Sequence, residues 1–175
     1  PPEKLDTVKY DSPIKIACKE CDVKLIKKFK KMGFTWKKEK EEALDIAYTG
    51  QDSPECRGTI VYFVNLGHKI DYDYFLPRAI QFKSLATVKK LFELGANFDN
   101  ITFNPFRLVA DKRNRFKNYK KYNSDSRRRR KEKYLRAIII EKYLYELLES
   151  YPKKKRRALK KKFKIKKVLK QFPRD

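Results

Sequence analysis

The stretch TVKKLFELGANFDN, Thr87 to Asn100, decides how the chain is read. Val88, Leu91 and Leu94 lie seven, four and one positions before Gly95, spacings that gather apolar side chains along one side of a helix. A glycine just after such a series is the usual left-handed terminator. The pattern occurs twice more. In LIKKFKKMGF (25–34) the series is Ile26, Phe29, Met32 and Gly33, and in TIVYFVNLGH (59–68) it is Ile60, Phe63, Leu66 and Gly67. Three helices are therefore expected to end alike.

A second apolar element precedes each copy: SPIKIA (12–17), EALDIA (42–47) and FLPRAI (75–80), with NPFRLV (104–109) after the last. Each combines a helix-opening residue, or a proline near the first turn, with alternating large and small apolar side chains. Ala17, Ala47 and Ala79 follow one another at 30 and 32 residues. One pair of short helices cannot bury its apolar faces alone, so this period predicts helix pairs stacked into a solenoid.

Ser12-Pro13-Ile14-Lys15-Ile16-Ala17 resembles the T-P-L-H-L-A opening of ankyrin repeats. The distances from Ala17 to Ile26 and on to Gly33 are similar to that family's spacing between its helix pair and terminal glycine. Ala79, Val88 and Gly95-Ala96-Asn97 fit the same frame, with Asn97 where the family often has Asp. The second repeat departs by four extra residues in its inter-helix loop, TGQDSPECRG (49–58), and the segments from each glycine to the next helix are shorter than the family's hairpin finger.

The resemblance implies an all-α fold: a short ankyrin-like helical solenoid of three to four repeats over 1–123, followed by a basic helical extension over 124–175. The repeats fall at about 8–36, 37–70 and 71–100, with a degraded one at 101–123. In that last repeat KRNRFKNYKKY (112–122) stands in place of the second helix and reads as the polar-faced cap that a solenoid end needs. In the ankyrin family the solenoid is a protein-binding surface without chemistry. Compact, divergent repeats rich in Lys, Ile, Tyr and Phe resemble those encoded by large DNA viruses of eukaryotes.

Charge is placed unevenly along the 175 residues, whose formal net charge is +24. Residues 1–110 carry 19 Lys/Arg against 15 Asp/Glu, whereas 111–136 carry 13 against 3 and 152–175 carry 13 against 1. With 41% hydrophobic and 14% aromatic residues the chain has enough apolar surface to fold. The expected polyanion-binding residues are Arg113, Arg115, Lys117, Lys120 and Lys121, then Arg127, Arg128, Arg129, Arg130 and Lys131 at the start of the extension. Near its end they are Lys153, Lys154, Lys155, Arg156 and Arg157, followed by Lys160, Lys161 and Lys162.

Within the extension Leu135, Ile138, Ile139, Leu144, Leu147, Leu148 and Tyr151 recur at three and four, as on the buried face of a helix that Pro152 ends. Leu159, Phe163, Val168, Leu169 and Phe172 predict a second amphipathic helix. Both are expected to fold back on the repeats with cationic faces outward. Lys and Arg release condensed counterions from a nucleic acid, and eight phosphate contacts would give a log–log salt slope of about −7 on duplex DNA. A nucleic acid is the first choice of partner, then an acidic protein surface, then an anionic membrane surface.

Catalysis has little to work with. His68, the single histidine, follows Gly67 at a helix end with no nucleophile–carboxylate pattern around it, and five glycines cannot build a phosphate-cradling loop. Cys18 and Cys21 form a C-x-x-C that with Cys56 and His68 would make a three-Cys, one-His set, but His68 lies at the far end of its helix, ~15 Å from the loops expected to hold Cys21 and Cys56. No metal or other cofactor is expected. Three cysteines, an odd number, do not read as a disulfide framework and favour an intracellular, reducing location: cytoplasm, nucleus or virion interior. No run approaches 18 apolar residues, so no transmembrane helix is expected. The functional expectation is a non-enzymatic adaptor or structural subunit that binds protein through its repeats and a polyanion through its basic third, as in a virion. The alternative is a sequence-tolerant nucleic-acid-binding protein with the repeats as scaffold.

Overall fold

The computed structural model describes residues 13–33 and 53–165. The expected helix at EALDIA and the positions of Val168, Leu169 and Phe172 lie outside the described residues. Among the described residues the fold is all-α, with no strand. The chain forms two compact units, 1–70 and 71–175. That boundary differs from the expected one at 123/124, because the long basic helix packs within the second unit.

In the first unit α1 (Pro13–Lys19), α2 (Val23–Lys31) and α3 (Pro54–Asn65) bury Ala17, Cys18, Ile26, Ile60 and Phe63. Between α1 and α2 the chain reverses through Cys21, held at a left-handed φ of 57°. Asp22 then opens α2 by accepting the Leu25 N–H at 2.9 Å. Thr59 on α3 is fully buried and donates its hydroxyl to the Cys21 carbonyl at 3.1 Å. Cys56 sits in the first turn of α3 and not in a loop, because Ser53 caps the helix and Pro54 starts it.

Cys21 and Cys56 are joined in a disulfide. The odd cysteine count does not read as a disulfide framework, but a contact between Cys21 and Cys56 is what stacking of successive repeats leads one to expect, and that contact is present. Disulfides persist in oxidising surroundings, so cysteine usage lends no support to a reducing compartment. The bond also removes two thiols from the ligand set considered above. Cys18 is buried, and the ring of His68 lies 5.1 Å from that of Phe63.

The second unit comprises α4 (Tyr72–Phe82), α5 (Leu85–Glu93), α6 (Pro105–Phe116), a 3-10 turn at Tyr119–Lys121, α7 (Ser124–Ser150) and α8 (Lys153–Lys162). Pro77 was expected near the start of its helix but lies inside α4, which begins earlier, where Asp71 accepts the Tyr74 N–H at 3.1 Å. The segment 112–122 is no separate cap: its first five residues extend α6. No described helix is long and apolar enough to cross a membrane.

The repeated glycines do end helices alike. Gly33, Gly67 and Gly95 have φ of 86°, 85° and 112° after α2, α3 and α5. Around the last two, the crossed bonds His68 N–H to Phe63 O and Ala96 N–H to Leu91 O satisfy carbonyls that the helix leaves open. At Gly95 a Cβ would also stand 3.0 Å from the Tyr72 hydroxyl, which donates to the Leu94 carbonyl and ties α4 to the end of α5. Positions −7 and −4 are buried, except that Phe29 is only half-buried. Position −1 departs from the expected face: Met32 is 62% and Leu66 37% exposed, and Leu94 is half-buried. Steps of three residues drift about 60° around a helix, so the third member of the series rotates off the face that buries the first two.

Candidate functional site

The cationic residues are positioned by α6 and α7, which run antiparallel along each other. Phe106 faces Tyr145 with ring centroids 5.0 Å apart, Arg113 reaches Glu141, and Tyr119 faces Tyr134 at 5.7 Å. Asn104 starts α6 by accepting the Arg107 N–H at 3.0 Å, and Asn123 starts α7 by accepting the Ser126 N–H at 3.1 Å. The seam of α7 is Ala137, Ile140, Glu141, Leu144, Tyr145 and Leu148, all buried. This corrects the face expected from sequence, since Leu135 and Ile139 are 44% and 51% exposed.

Glu141, 2% exposed, is the one carboxylate in that seam. Desolvation raises its pKa, and Arg113, 2.9 Å away, opposes the rise. Arg113 is thus spent on an internal charge and is withdrawn from the expected polyanion-binding set.

Four cations of α8 also have partners within the unit. Lys155 pairs with Asp99, and Arg156 and Lys160 both pair with Glu149. Hydrogen bonding from Lys160, followed by the charges of Lys160 and Arg156, holds the Glu149 carboxyl below its ordinary pKa. Lys162 Nζ donates to the carbonyls of Phe98, Asp99 and Ile101 at 3.0, 3.3 and 3.0 Å. Asn104 Nδ2 donates to the Phe163 carbonyl at 2.6 Å, while Leu159 and Phe163 are buried. The helix is clasped to the 98–104 loop by Lys155 and Lys162 and to the end of α7 by Arg156 and Lys160. Lys153, Lys154, Arg157 and Lys161 are exposed, as are Lys155 and Lys162 despite their contacts.

The other end of the α6–α7 pair differs. Arg115, Lys117, Lys120 and Lys121 are exposed where α6 runs into the 3-10 turn, and Arg127, Arg128, Arg129 and Lys131 are exposed on the first turns of α7. Among the described residues the only carboxylate within ion-pair distance of these eight is Glu132, 4.0 Å from Arg128. That pair, 80% and 61% exposed, contributes little. Arg130 is half-buried, its guanidinium 3.8 Å from the centre of the Tyr122 ring. The corner gathers eight exposed cations at one end of the α6–α7 pair.

Sequence reasoning missed three cations beside it. Lys133 and Arg136 continue the Arg129 stripe at helical spacing of four and seven, a signal present in the sequence. Lys112 is buried, with Nζ 2.7 Å from the Ile80 carbonyl, and no local pattern marks it. Burial, with the charges of Arg136 and Lys133, lowers its pKa to about 8.

No protein-family model matches the chain, and neither a curated protein nor a solved structure does.

Proposed function

We propose that the protein is a non-enzymatic, sequence-tolerant binder of nucleic acid that engages phosphates through the corner formed by α6, the 3-10 turn and α7. What supports this is the sorting of its cations. Four of the eight on α8, Lys155, Arg156, Lys160 and Lys162, meet carboxylates or carbonyls of the same unit, whereas Lys117, Lys120, Lys121 and Arg127–Arg129 are exposed with no carboxylate but Glu132 within ion-pair distance among the described residues. Like charges held this close repel one another, and a polyanion relieves the repulsion. Contacts of this kind carry no base readout, hence sequence tolerance. The ankyrin-like reading belongs to the same proposal: helix pairs α1–α2 and α4–α5, with α2 and α5 ending in left-handed glycines, support it, and the helices act as scaffold.

The test is a titration of random-sequence duplex DNA between 50 and 200 mM salt, on the scale where each phosphate contact steepens the log–log slope by about 0.9. Wild type should lose affinity steeply, and Arg127–Arg130→Ala should lower both affinity and slope. Absence of binding at the lowest salt would remove the proposal.

A second reading is a protein-binding adaptor or structural subunit of a larger assembly such as a virion. It draws on Leu135 and Ile139, apolar neighbours exposed on the outer side of α7. Leu135→Lys with Ile139→Lys should then abolish co-purification of a partner without changing the salt slope. An unaltered set of co-purifying proteins would count against it.

A further inference from the structure

A cleft of about 550 Å³ opens between the end of α4, the outer side of α6 and the first half of α7. Its volume falls within the range of roughly 300–1,000 Å³ that small-molecule sites occupy. Four cations line it, Lys112, Arg115, Lys133 and Arg136, against the single carboxylate of Asp111. Two aromatic rings complete the wall. Phe82 is 69% exposed, and Phe116 has the Lys133 ammonium 5.5 Å from its ring centre.

An exposed phenylalanine gains nothing from burial where it stands. Lys112 is pinned by the Ile80 carbonyl, which leaves two of its three N–H groups for another acceptor. Lys133 and Arg136 face the same space and disfavour its charge. A concave surface lined by four cations, one of them buried, and by an exposed aromatic ring has the two complements of a nucleotide: counter-charge for phosphate and a flat face for the base.

We propose that this cleft binds one nucleotide, its base stacked on Phe82 and its phosphate held by Lys112, Lys133 and Arg136. The site shares Arg115 with the edge of the duplex-binding corner but uses none of Arg127–Arg129, so substitution of those three separates the two. A free nucleotide and the 5′-phosphorylated end of a single strand offer the same chemistry, and the experiment separates them.

Deoxyadenosine 5′-monophosphate, inorganic phosphate and a short single strand with or without a 5′-phosphate are titrated calorimetrically into the full chain. The monophosphate should bind more tightly than inorganic phosphate. Phe82→Ala, a change at an exposed side chain, should weaken the monophosphate roughly 10-fold, the scale of one base–aromatic stack, and leave inorganic phosphate unaffected. Arg136→Ala should weaken both. Saturation by the free monophosphate assigns a free nucleotide; binding of the phosphorylated strand alone assigns a strand end. Arg127–Arg129→Ala, which spares the Arg130 guanidinium 5.9 Å from the Phe116 ring centre, should keep monophosphate affinity within 2-fold while losing duplex, so either proposal can fall without the other. Equal binding of monophosphate and inorganic phosphate with no effect of Phe82→Ala, or no binding of any probe at millimolar concentration, overturns the inference.

Discussion

Lys112 Nζ donates a 2.7 Å hydrogen bond to the carbonyl oxygen of Ile80, placing an ammonium group of α6 against the last turn of α4. The last four carbonyls of a helix have no partner within it, and a cation there is favourable. The contact sets burial against attraction, and burial wins: the pKa falls from the ordinary 10.5 to about 8.

Stability should therefore rise with pH between about 8 and 10.5, where the unfolded chain holds this proton and the folded one does not. Tyr72, Tyr143 and Tyr145 act in the opposite sense. Burial raises their pKa values above 10.0, so above that pH the unfolded chain loses protons the folded one retains, and stability falls. The midpoint of thermal unfolding should peak between pH 9 and 10. Lys112→Met, which removes the titrating group, should flatten the rising limb; an unchanged limb would assign the effect elsewhere.

Arg113 and Glu141 invite a double-mutant cycle. Their side chains are 18% and 2% exposed and lie 2.9 Å apart, although Glu141 Oε2 is not aligned for a hydrogen bond. Arg113→Met leaves a carboxylate buried without its counter-charge and should cost about 3–5 kcal/mol, whereas Arg113→Met with Glu141→Leu should be near neutral or stabilising. Urea unfolding of the four proteins measures the coupling. Additive losses would mean that the two charges do not depend on each other.

The same pair shows where sequence reading stops. The glycine-ended helices were legible because Ile26, Ile60 and Val88 recur at a fixed distance from a residue whose conformation is local. The buried face of α7 was not. Ile138-Ile139-Ile140 supplies an apolar residue to three directions at once, and the seam that packs includes Glu141, which reads as polar until Arg113 arrives from another helix. The cationic corner was legible as a run, from Arg127 to Lys131, since its residues make few internal contacts. The contacts of the α8 cations were not legible, for the opposite reason. Charge counting cannot reveal that Lys162 ends on three carbonyls of a loop some 60 residues earlier.

The Cys21–Cys56 disulfide spans 35 residues, and in the chain-entropy treatment a loop of that length stabilises by about 3–4 kcal/mol. Reduction should lower the urea midpoint of α2 and α3, read by amide exchange, by the corresponding amount. Cys21 is also held at a φ of 57°, a conformation costing a non-glycine residue roughly 1–2 kcal/mol. Cys21→Gly with Cys56→Ala should therefore exceed the reduced wild type in stability. If reduction leaves the midpoint where it was, the bond contributes nothing to holding this unit together.

The two cationic clusters should separate by what their loss does. Lys162→Met strips three carbonyls of their donor and should loosen α8 and expose Leu159 and Phe163, whereas Asp99→Asn, which removes only the half-exposed partner of Lys155, should do so far less. The expected readout is a lower melting midpoint with faster exchange along α8, at a duplex-DNA salt slope reduced by less than one phosphate contact, about 0.9. Lys117, Lys120 and Lys121→Ala should do the reverse, since their side chains are exposed and the helices beneath are held by Phe106, Tyr145 and Leu144. Those changes should leave the melting midpoint in place and flatten the slope by up to about 2.7, three contacts' worth. If the α8 variants flattened the slope as much as the corner variants did, charge would be acting as a whole-chain field, and the division between structural and binding cations would fail.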